Sequence, residues 1–242
     1  MEPELTPISL HDTFGFACGP DVPCFNACCR DLNQLLTPYD ILRLKRHLGI
    51  SSEEFLARYT LQHTGPGSGL PVVTLKPADN QDLCCPFVTQ KGCSVYENRP
   101  SSCRMYPLVR AVACTRQTGE ISEKFMLLKE PHCLGFHQGN VQTVQQWISD
   151  QKIADCNEMN DRLLHIISLK NRRRPGVLDL KSRNLFFTAL YNLDDFRSRI
   201  IHQGLLAGFR IDSALLDRAH EDDVALLELG ILWVKHALFG VE

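Results

Sequence analysis

Cysteine is the feature that most constrains what this chain can fold into. Of the 11 cysteines in its 242 residues, ten lie within residues 1–133 and only Cys156 lies beyond them. Disulfide frameworks belong mainly to small secreted domains. This chain has an odd number of cysteines, enough length for a hydrophobic core and no apolar run after Met1 that resembles a secretory signal. We therefore expect a cytoplasmic protein whose reduced thiols bind metal.

Composition excludes several other classes of protein. Hydrophobic residues make up 44% of the chain and the formal net charge is −2, which rules out wholesale disorder. Basic and acidic side chains are balanced in both halves of the sequence, so we expect no nucleic-acid partner. Charged side chains interrupt the most apolar stretch, Val224–Val241, which favours a buried helix and predicts no membrane partner.

Local signals predict short elements among the cysteines and longer helices after them. Capping residues at Thr37 and Ser51 predict helices that run to Gly49 and Tyr59. One strand is predicted at Val72–Lys76. Two more are predicted within Met105–Ala113 and Ile121–Leu128, and they form a hairpin whose turn is at residues 117–120. Helical periodicity after Asn140 predicts Val141–Gln151, Asp155–Lys170, Asn184–Leu206, Asp212–His220 and Asp222–Phe239.

These elements predict an α+β fold. A small, irregular, metal-organised cysteine-rich region with a few short strands and helices precedes a mostly α-helical C-terminal half. The predicted domains are a cysteine-cluster metal-binding domain at 1–139 and a helical region at 140–242. Because metal binding by thiolates is coupled to folding, we expect the first region to be poorly ordered without metal.

The cysteines form two clusters and a later single position. Their members are Cys18, Cys24, Cys28 and Cys29, then Cys84, Cys85, Cys93 and Cys103, then Cys133. Thiolates close together in sequence suit a soft or borderline metal. Because Cys28 and Cys29 are adjacent, their side chains tend to diverge, and each is expected to serve a different metal or a different corner of a cluster. Eight thiols would supply two four-sulfur sites, or one cluster and a zinc site.

Spacing argues against several established cysteine sites. The radical S-adenosylmethionine pattern C-x3-C-x2-C is missing, as are the bacterial ferredoxin spacing and the C-x2-C pairs of zinc ribbons and thioredoxin-like proteins. A catalytic cysteine remains an alternative, with Cys133 paired to His132 or His137. Inert buried thiols are another, although ten paired or clustered cysteines favour metal.

The motifs resemble the YkgJ-type cysteine-cluster family, also called the CxxCxxCC or zinc- or iron-chelating domain, which includes the FliB-type flagellin lysine N-methylases. The resemblance covers Phe16–Phe136 and rests on Cys28-Cys29, Cys85-Pro86-Phe87, Cys93-Ser94-Val95-Tyr96-Glu97, Arg99-Pro100 and Cys103-Arg104-Met105-Tyr106-Pro107. It implies that the metal ligands are Cys18, Cys24, Cys28, Cys29, Cys85, Cys93, Cys103 and Cys133. Cys84, Cys114 and Cys156 do not fit and are expected to be packing thiols. The first cluster departs from the family spacing, because five residues separate Cys18 from Cys24.

An anionic thiolate site also predicts cations beside it. Arg99 and Arg104 are expected to lie beside the cofactor and to donate hydrogen bonds to sulfur atoms or to the backbone. Arg30 is expected either to do the same or to cap a turn. Tyr96 and Tyr106 are expected to be packing residues.

Three functions are consistent with these features. The first is a cysteine-ligated metal-binding protein, with an iron–sulfur cluster favoured over zinc. The second, implied only by the resemblance, is an S-adenosylmethionine-dependent protein-lysine N-methyltransferase acting on a substrate such as flagellin. No glycine-rich strand-to-helix motif for S-adenosylmethionine is visible. The third is a non-enzymatic interaction or metal-handling module in which the helical half docks a partner.

Overall fold

The computed structural model describes residues 2–31, 33–78, 82–115, 118–137 and 139–241. Within them the strands are β1 (Glu4–Ile8), β2 (Thr13–Gly15), β3 (Leu35–Leu36), β4 (Thr60–Thr64), β5 (Pro71–Leu75), β6 (Val88–Thr89), β7 (Gly92–Cys93), β8 (Leu108–Cys114), β9 (Ile121–Lys129) and β10 (Val141–Thr143). The helices are α1 (Pro38–Leu48), α2 (Ser52–Tyr59), α3 (Ser101–Met105), α4 (Val144–Asp150), α5 (Ala154–Arg173), α6 (Leu180–Leu190), α7 (Leu193–Gln203), α8 (Ser213–Ala219) and α9 (Asp223–Phe239). The α+β class is thereby confirmed, with a helical C-terminal half.

Residue contacts group the chain into two compact units. The first comprises Met1–Leu35 with Leu75–Glu158, and the second comprises Leu36–Thr74 with Met159–Glu242. These units do not show which segments fold independently. The domains predicted at 1–139 and 140–242 therefore stay predictions.

The first unit is built on an antiparallel sheet in the order β1–β9–β8. Strands β8 and β9 form the predicted hairpin, in register from Leu108 opposite Leu127 to Cys114 opposite Ile121. Strand β10 pairs with β2, and the two-residue strands β6 and β7 form a small hairpin between two cysteines. The core consists of Phe14, Phe16, Met105, Leu108, Phe125, Leu127, Val144 and Ile153.

The second unit is mainly helical because its segments carry strong helix signals. Helix α1 begins with a capping box, in which Thr37 and Asp40 each accept a hydrogen bond from the other's amide, and ends at Gly49. Helix α9 is apolar around most of its surface and largely buried. Gly230 on α9 approaches the Ala189 carbonyl of α6 so closely that a Cβ has no room. No helix among the described residues is long and apolar enough to cross a membrane.

A buried ion cluster joins four helices of the second unit. The Nζ atom of Lys45 on α1 lies 3.0 Å from a carboxylate oxygen of both Asp194 on α7 and Asp223 on α9. Ser52 on α2 donates its amide and its hydroxyl to Asp194, and Arg197 contacts Asp223 at 2.5 Å. Burial alone would raise the pKa of both carboxyl groups, but these hydrogen bonds and positive charges outweigh it and lower both pKa values.

Two predicted helices were wrong in their extent. The segment Val141–Gln151 starts with strand β10, and the helix begins only where Thr143 accepts a hydrogen bond from the Gln146 amide. The segment Asn184–Leu206 is two helices, α6 and α7, broken at Asn192. The Asn192 side chain makes no capping hydrogen bond, and the break is in its backbone, which has non-helical angles of φ −102° and ψ 68°. The continuous apolar pattern across this break concealed it.

Candidate metal centre

Three loops of the first unit carry most of the clustered cysteines. They are the N-terminal loop (residues 16–31), the central loop (residues 82–100) and the C-terminal loop (residues 130–137), while Cys103 lies on α3. The amide of Cys85 in the central loop donates to the carbonyl of Cys29 at 2.8 Å. The amide of Ala17 donates to the carbonyl of Gly135 in the C-terminal loop at 3.0 Å. The N-terminal loop is thus tied to both of the others, so cysteines distant in sequence come together.

Cys18, Cys24 and Cys133 form the first thiol group. The amide of Leu134 donates to the sulfur of Cys24 at 3.1 Å, which ties the C-terminal loop to the N-terminal loop. Burial raises the pKa of Cys18, and negative charges on neighbouring cysteines raise it further; those neighbours are Cys28, Cys133 and Cys24. Burial also raises the pKa of Cys133, and Cys24 adds to the shift.

Cys29, Cys85, Cys93 and Cys103 form the second thiol group. Burial raises the pKa of Cys85 to about 11, and the charge of Cys93 contributes to the increase. The charges of Cys85 and Cys103 contribute to the raised pKa of Cys29. The thiol of Cys103 donates to the side-chain oxygen of Gln34 at 3.3 Å. These mutual effects place the four thiols within electrostatic reach of one another.

Cys28 links the two thiol groups. Its hydrogen bond with Cys29 lowers the pKa of Cys28 to about 7, against the effect of burial, while the same bond raises the pKa of Cys29. The charge of Cys28 also raises the pKa values of Cys18, Cys85 and Cys93. Cys28, which lies between the two thiol groups, is therefore the first of these thiols to ionise as pH rises.

Besides the Leu134 amide on Cys24, backbone amides hydrogen-bond to the sulfur atoms of three further cysteines. For these three, each amide belongs to a residue two or three positions further along the chain. The donors are Phe87 and Val88 to Cys85, Val95 to Cys93, and Gly135 to Cys133. Each bond lowers the pKa of its cysteine, although burial is the larger effect in all three. Amides so directed stabilise a thiolate, which is the form that binds metal.

The two predicted arginines differ in their contacts. Arg99 is 8% exposed and stacks 3.8 Å over the ring of Tyr96. Its positive charge lowers the pKa values of Cys18 and Cys93, so it acts on both thiol groups. Arg104 donates to the carbonyl of Gln151 at 2.6 Å and to the carbonyl of Glu97, contacts that hold α3 in place. Arg30 makes an exposed ion pair with Asp82 at 3.0 Å, as expected of a residue that stabilises a turn.

Tyr106 has a neighbourhood that its sequence did not indicate. Its hydroxyl oxygen is buried, and burial followed by the effects of Cys133 and Glu130 raises its pKa. Glu130 also acts on Cys28, and its carboxylate lies 3.7 Å from the ring of His132. Only the position of Tyr106, three residues after Cys103, signalled a place near the thiols.

Two of the three cysteines outside the family pattern, Cys114 and Cys156, lie outside the three loops. Cys114 is at the end of β8, where its sulfur is 3.6 Å from the carbonyl of Gly119. Cys156 is buried in α5. The carbonyl of Cys84 accepts a hydrogen bond from the amide of Ala78 at 2.7 Å. All 11 cysteines lie among the described residues, and none of them is in a disulfide bond.

The donor chemistry fits a soft or borderline metal. Eight thiols are gathered with amide donors and a buried guanidinium, and Cys28 is poised to ionise near neutral pH. Among the described residues, no three His, Cys, Asp or Glu side chains already converge on one metal position. The electrostatic coupling of the thiols is compatible with this lack of a shared metal position. Charges interact over longer distances than the roughly 2.3 Å of a zinc–sulfur bond. The loops therefore gather the donors without closing them around a point.

Three loops and helix α3 that bring eight thiols together and direct amides at sulfur atoms define a cysteine-cluster domain. The family model CxxCxxCC, described as "Putative zinc- or iron-chelating domain", matches residues 17–134. The resemblance to the CxxCxxCC family predicted from the motifs is thereby confirmed over residues 17–134. No curated protein and no solved structure matches the chain.

Proposed function

We propose that the protein is a cytoplasmic, cysteine-ligated metal-binding protein that holds iron–sulfur in preference to zinc. The observation that carries the proposal is the gathering of eight thiols from three loops and α3 into one electrostatically coupled set. Thiols repel one another once ionised, and a bound cation removes that repulsion. A metal is therefore the partner that such an arrangement favours.

The couplings support a division of the ligands into two sets of four. In this proposal Cys28 joins the first thiol group and Cys29 stays in the second, so the ligand sets are Cys18, Cys24, Cys28 and Cys133, and Cys29, Cys85, Cys93 and Cys103. The adjacent pair can serve both sets because Cys28 interacts with Cys18, whereas Cys29 interacts with Cys85 and Cys103. The hydrogen bond between them keeps the two sets in contact.

Iron–sulfur is favoured because the proposed ligands are all cysteines, with no histidine among them, and because the adjacent pair Cys28-Cys29 suits two corners of a cluster. Four-cysteine ligation is common to such clusters, and hydrogen bonds to the sulfur atoms tune their reduction potentials. When bound, the cluster would supply electron transfer. The protein's own amides and Arg99 would stabilise its negative charge.

Metal and sulfide analysis of protein purified without oxygen tests the proposal. We expect about four iron atoms per cluster with matching sulfide, and a broad visible absorption band at about 400 nm. One or two zinc ions per chain with no colour would retain metal binding but contradict the iron–sulfur preference. Protein that takes up neither iron nor zinc would contradict the proposed function.

Cysteine variants test the ligand assignment. Cys28→Ser and Cys103→Ser should each lower the bound metal and destabilise the first unit. Cys114→Ser is the matched control, because Cys114 lies in the same unit but contacts the hairpin turn. It should retain the metal content of the wild type. Unchanged metal in both ligand variants would refute the assignment.

A further inference from the structure

The end of helix α5 and the start of helix α6 concentrate positive charge in the second unit. Residues 170–183 contain six basic side chains and one acidic one, Asp179, although the whole chain has a net charge of −2. The six are Lys170, Arg172, Arg173, Arg174, Lys181 and Arg183. Arg174 joins the two helices, because its guanidinium donates to the Asp179 carboxylate at 2.8 Å and to the Ser182 hydroxyl at 3.1 Å. The single carboxylate of the segment is thus already paired.

Helix geometry explains only part of this charge. Basic residues in the last turn of α5 are favourable, because the C-terminal end of a helix carries partial negative charge. The N-terminal end carries partial positive charge, yet beyond its N-cap Asp179 the first turn of α6 contains Lys181 and no acidic residue. Lys181 is exposed and makes no ion pair with a described residue. Its charge does not stabilise the helix and is available to a partner.

Two large apolar side chains are exposed within the same segment. Val177 is 66% exposed and Leu180 is 65% exposed, while Leu178 between them is buried and anchors the backbone. The loop at residues 65–70 packs against this backbone, since a Cβ on Gly69 would lie 2.6 Å from the carbonyl oxygen of residue 176. A fixed backbone that presents apolar side chains amid positive charge loses little entropy when a partner binds.

The neighbouring segments hold the basic side chains without neutralising them. Arg183 donates to the hydroxyl of Thr64 at the end of β4, at 3.1 Å. Arg173 donates to the carbonyl of Phe239 at the end of α9, at 2.8 Å. Residues 60–70 contain no Asp or Glu. Because uncharged oxygens accept these hydrogen bonds, the positive charge of both arginines remains uncompensated by them.

We propose that the basic loop surface, formed by Arg173, Val177, Leu180, Lys181 and Arg183, docks an acidic segment of a partner protein that also carries apolar side chains. Carboxylates of that segment pair with the cations, and its apolar side chains cover the two exposed ones.

The composition of the segment favours a protein over other anionic partners. Residues 170–183 include no aromatic side chain. Membrane-surface sites are enriched in Trp and Tyr, and single-stranded nucleic acids stack on aromatic rings. The basic loop surface contains no proposed metal ligand, so this inference is independent of the proposed function.

Fluorescence anisotropy with the full-length protein tests the proposal. The first probe is a short labelled peptide in which acidic residues alternate with leucine, and the second has serine in place of every leucine. Vesicles that contain phosphatidylserine and a single-stranded oligonucleotide represent the other classes of anionic partner.

We expect the acidic–apolar peptide to bind more tightly than its serine counterpart, with an affinity that falls as salt screens the exposed charges. Lys181→Glu should weaken binding about 5-fold, and Val177→Ser combined with Leu180→Ser about 10-fold. Lys124→Glu and Leu5→Ser are the matched controls, because they make the same kinds of change at exposed positions of β9 and β1. Both should bind the peptide like the wild type.

Three results would overturn the inference. The first is wild-type protein that does not bind the acidic–apolar peptide. The second is equal weakening by the surface variants and the controls, because net charge rather than this surface would then govern binding. The third is binding of the vesicles or the oligonucleotide in preference to the peptide. Metal content measured on the same samples tests the proposed function separately.

Discussion

Replacing Gly135 by alanine should separate the C-terminal loop of the candidate metal centre from the N-terminal loop. The Gly135 carbonyl accepts the amide hydrogen bond of Ala17 at 3.0 Å, immediately before Cys18 in the N-terminal loop. Its amide hydrogen-bonds to the sulfur of Cys133. One residue therefore connects the C-terminal loop to the N-terminal loop and to a proposed ligand.

The size of the effect follows from the space around this glycine. A Cβ atom on Gly135 would lie 2.5 Å from the Ala17 carbonyl oxygen and 2.6 Å from a ring carbon of Phe16. Comfortable contacts are about 3.5–4.0 Å, and a backbone oxygen cannot rotate away as a side chain does. Overpacking costs about 1–3 kcal/mol and the loss of one hydrogen bond about 1 kcal/mol. We therefore expect Gly135→Ala to destabilise the first unit by about 2–4 kcal/mol.

Thermal unfolding followed by near-ultraviolet circular dichroism, together with metal analysis, measures both consequences. A loss of this size should lower the Tm by about 5–15 °C, and the retained metal should fall because Cys133 moves away from its partners. Gly15→Ala is the control, because a Cβ there meets no atom within 4 Å and the backbone is not left-handed. It should change stability by less than about 1 kcal/mol. A Gly135→Ala protein that melts and binds metal like the wild type would refute the reasoning.

The remaining predictions concern the buried ion cluster and the removal of metal. The lowered pKa values of Asp194 and Asp223 contribute stability that is present above about pH 4 and is lost as pH falls through the lowered values. An acid titration should accordingly show the second unit unfolding below about pH 4, and unfolding already near neutral pH would contradict this. Lys45→Met should cost about 2–3 kcal/mol, because the buried Asp223 and the partly exposed Asp194 then share only the remaining cations; chemical denaturation measures it. Chelation should change the fluorescence of Trp147, whose indole donates to the Met105 carbonyl near the thiols, and the change should persist in a Trp233→Phe background.

The sequence predicted most reliably those elements whose signals are local. The cap at Thr37 and the left-handed glycine at its far end bound α1 as expected, because both act within one turn of the helix. The hairpin of β8 and β9 was predictable because apolar and polar residues alternate along strands that have one face on the core. The break at Asn192 was missed because the apolar pattern continues through it, and only packing of α6 and α7 as separate helices distinguishes the two cases.

The assignment of the eight cysteines as ligands stays a prediction, and the groups around them could not be predicted from the sequence. Three loops and helix α3 bring these thiols within electrostatic reach of one another. The amide donors follow from loop conformation, which a list of residue types does not contain. Tyr106 was expected to pack, and its ring does so against Phe16, but its hydroxyl lies beside Cys133 because the chain turns back at the C-terminal loop.

The distribution of the core limits how far metal loss can unfold the first unit. Its core is made of apolar side chains such as Phe14, Leu108 and Phe125, and of the proposed ligands only Cys133 packs against it. The sheet is held by its own ladder of hydrogen bonds between β1, β9 and β8. The thiols lie mainly in loops whose mutual repulsion opposes their approach. Metal removal should therefore release the three loops while the sheet persists, so chelation should alter the Trp147 signal far more than the strand content seen by far-ultraviolet circular dichroism.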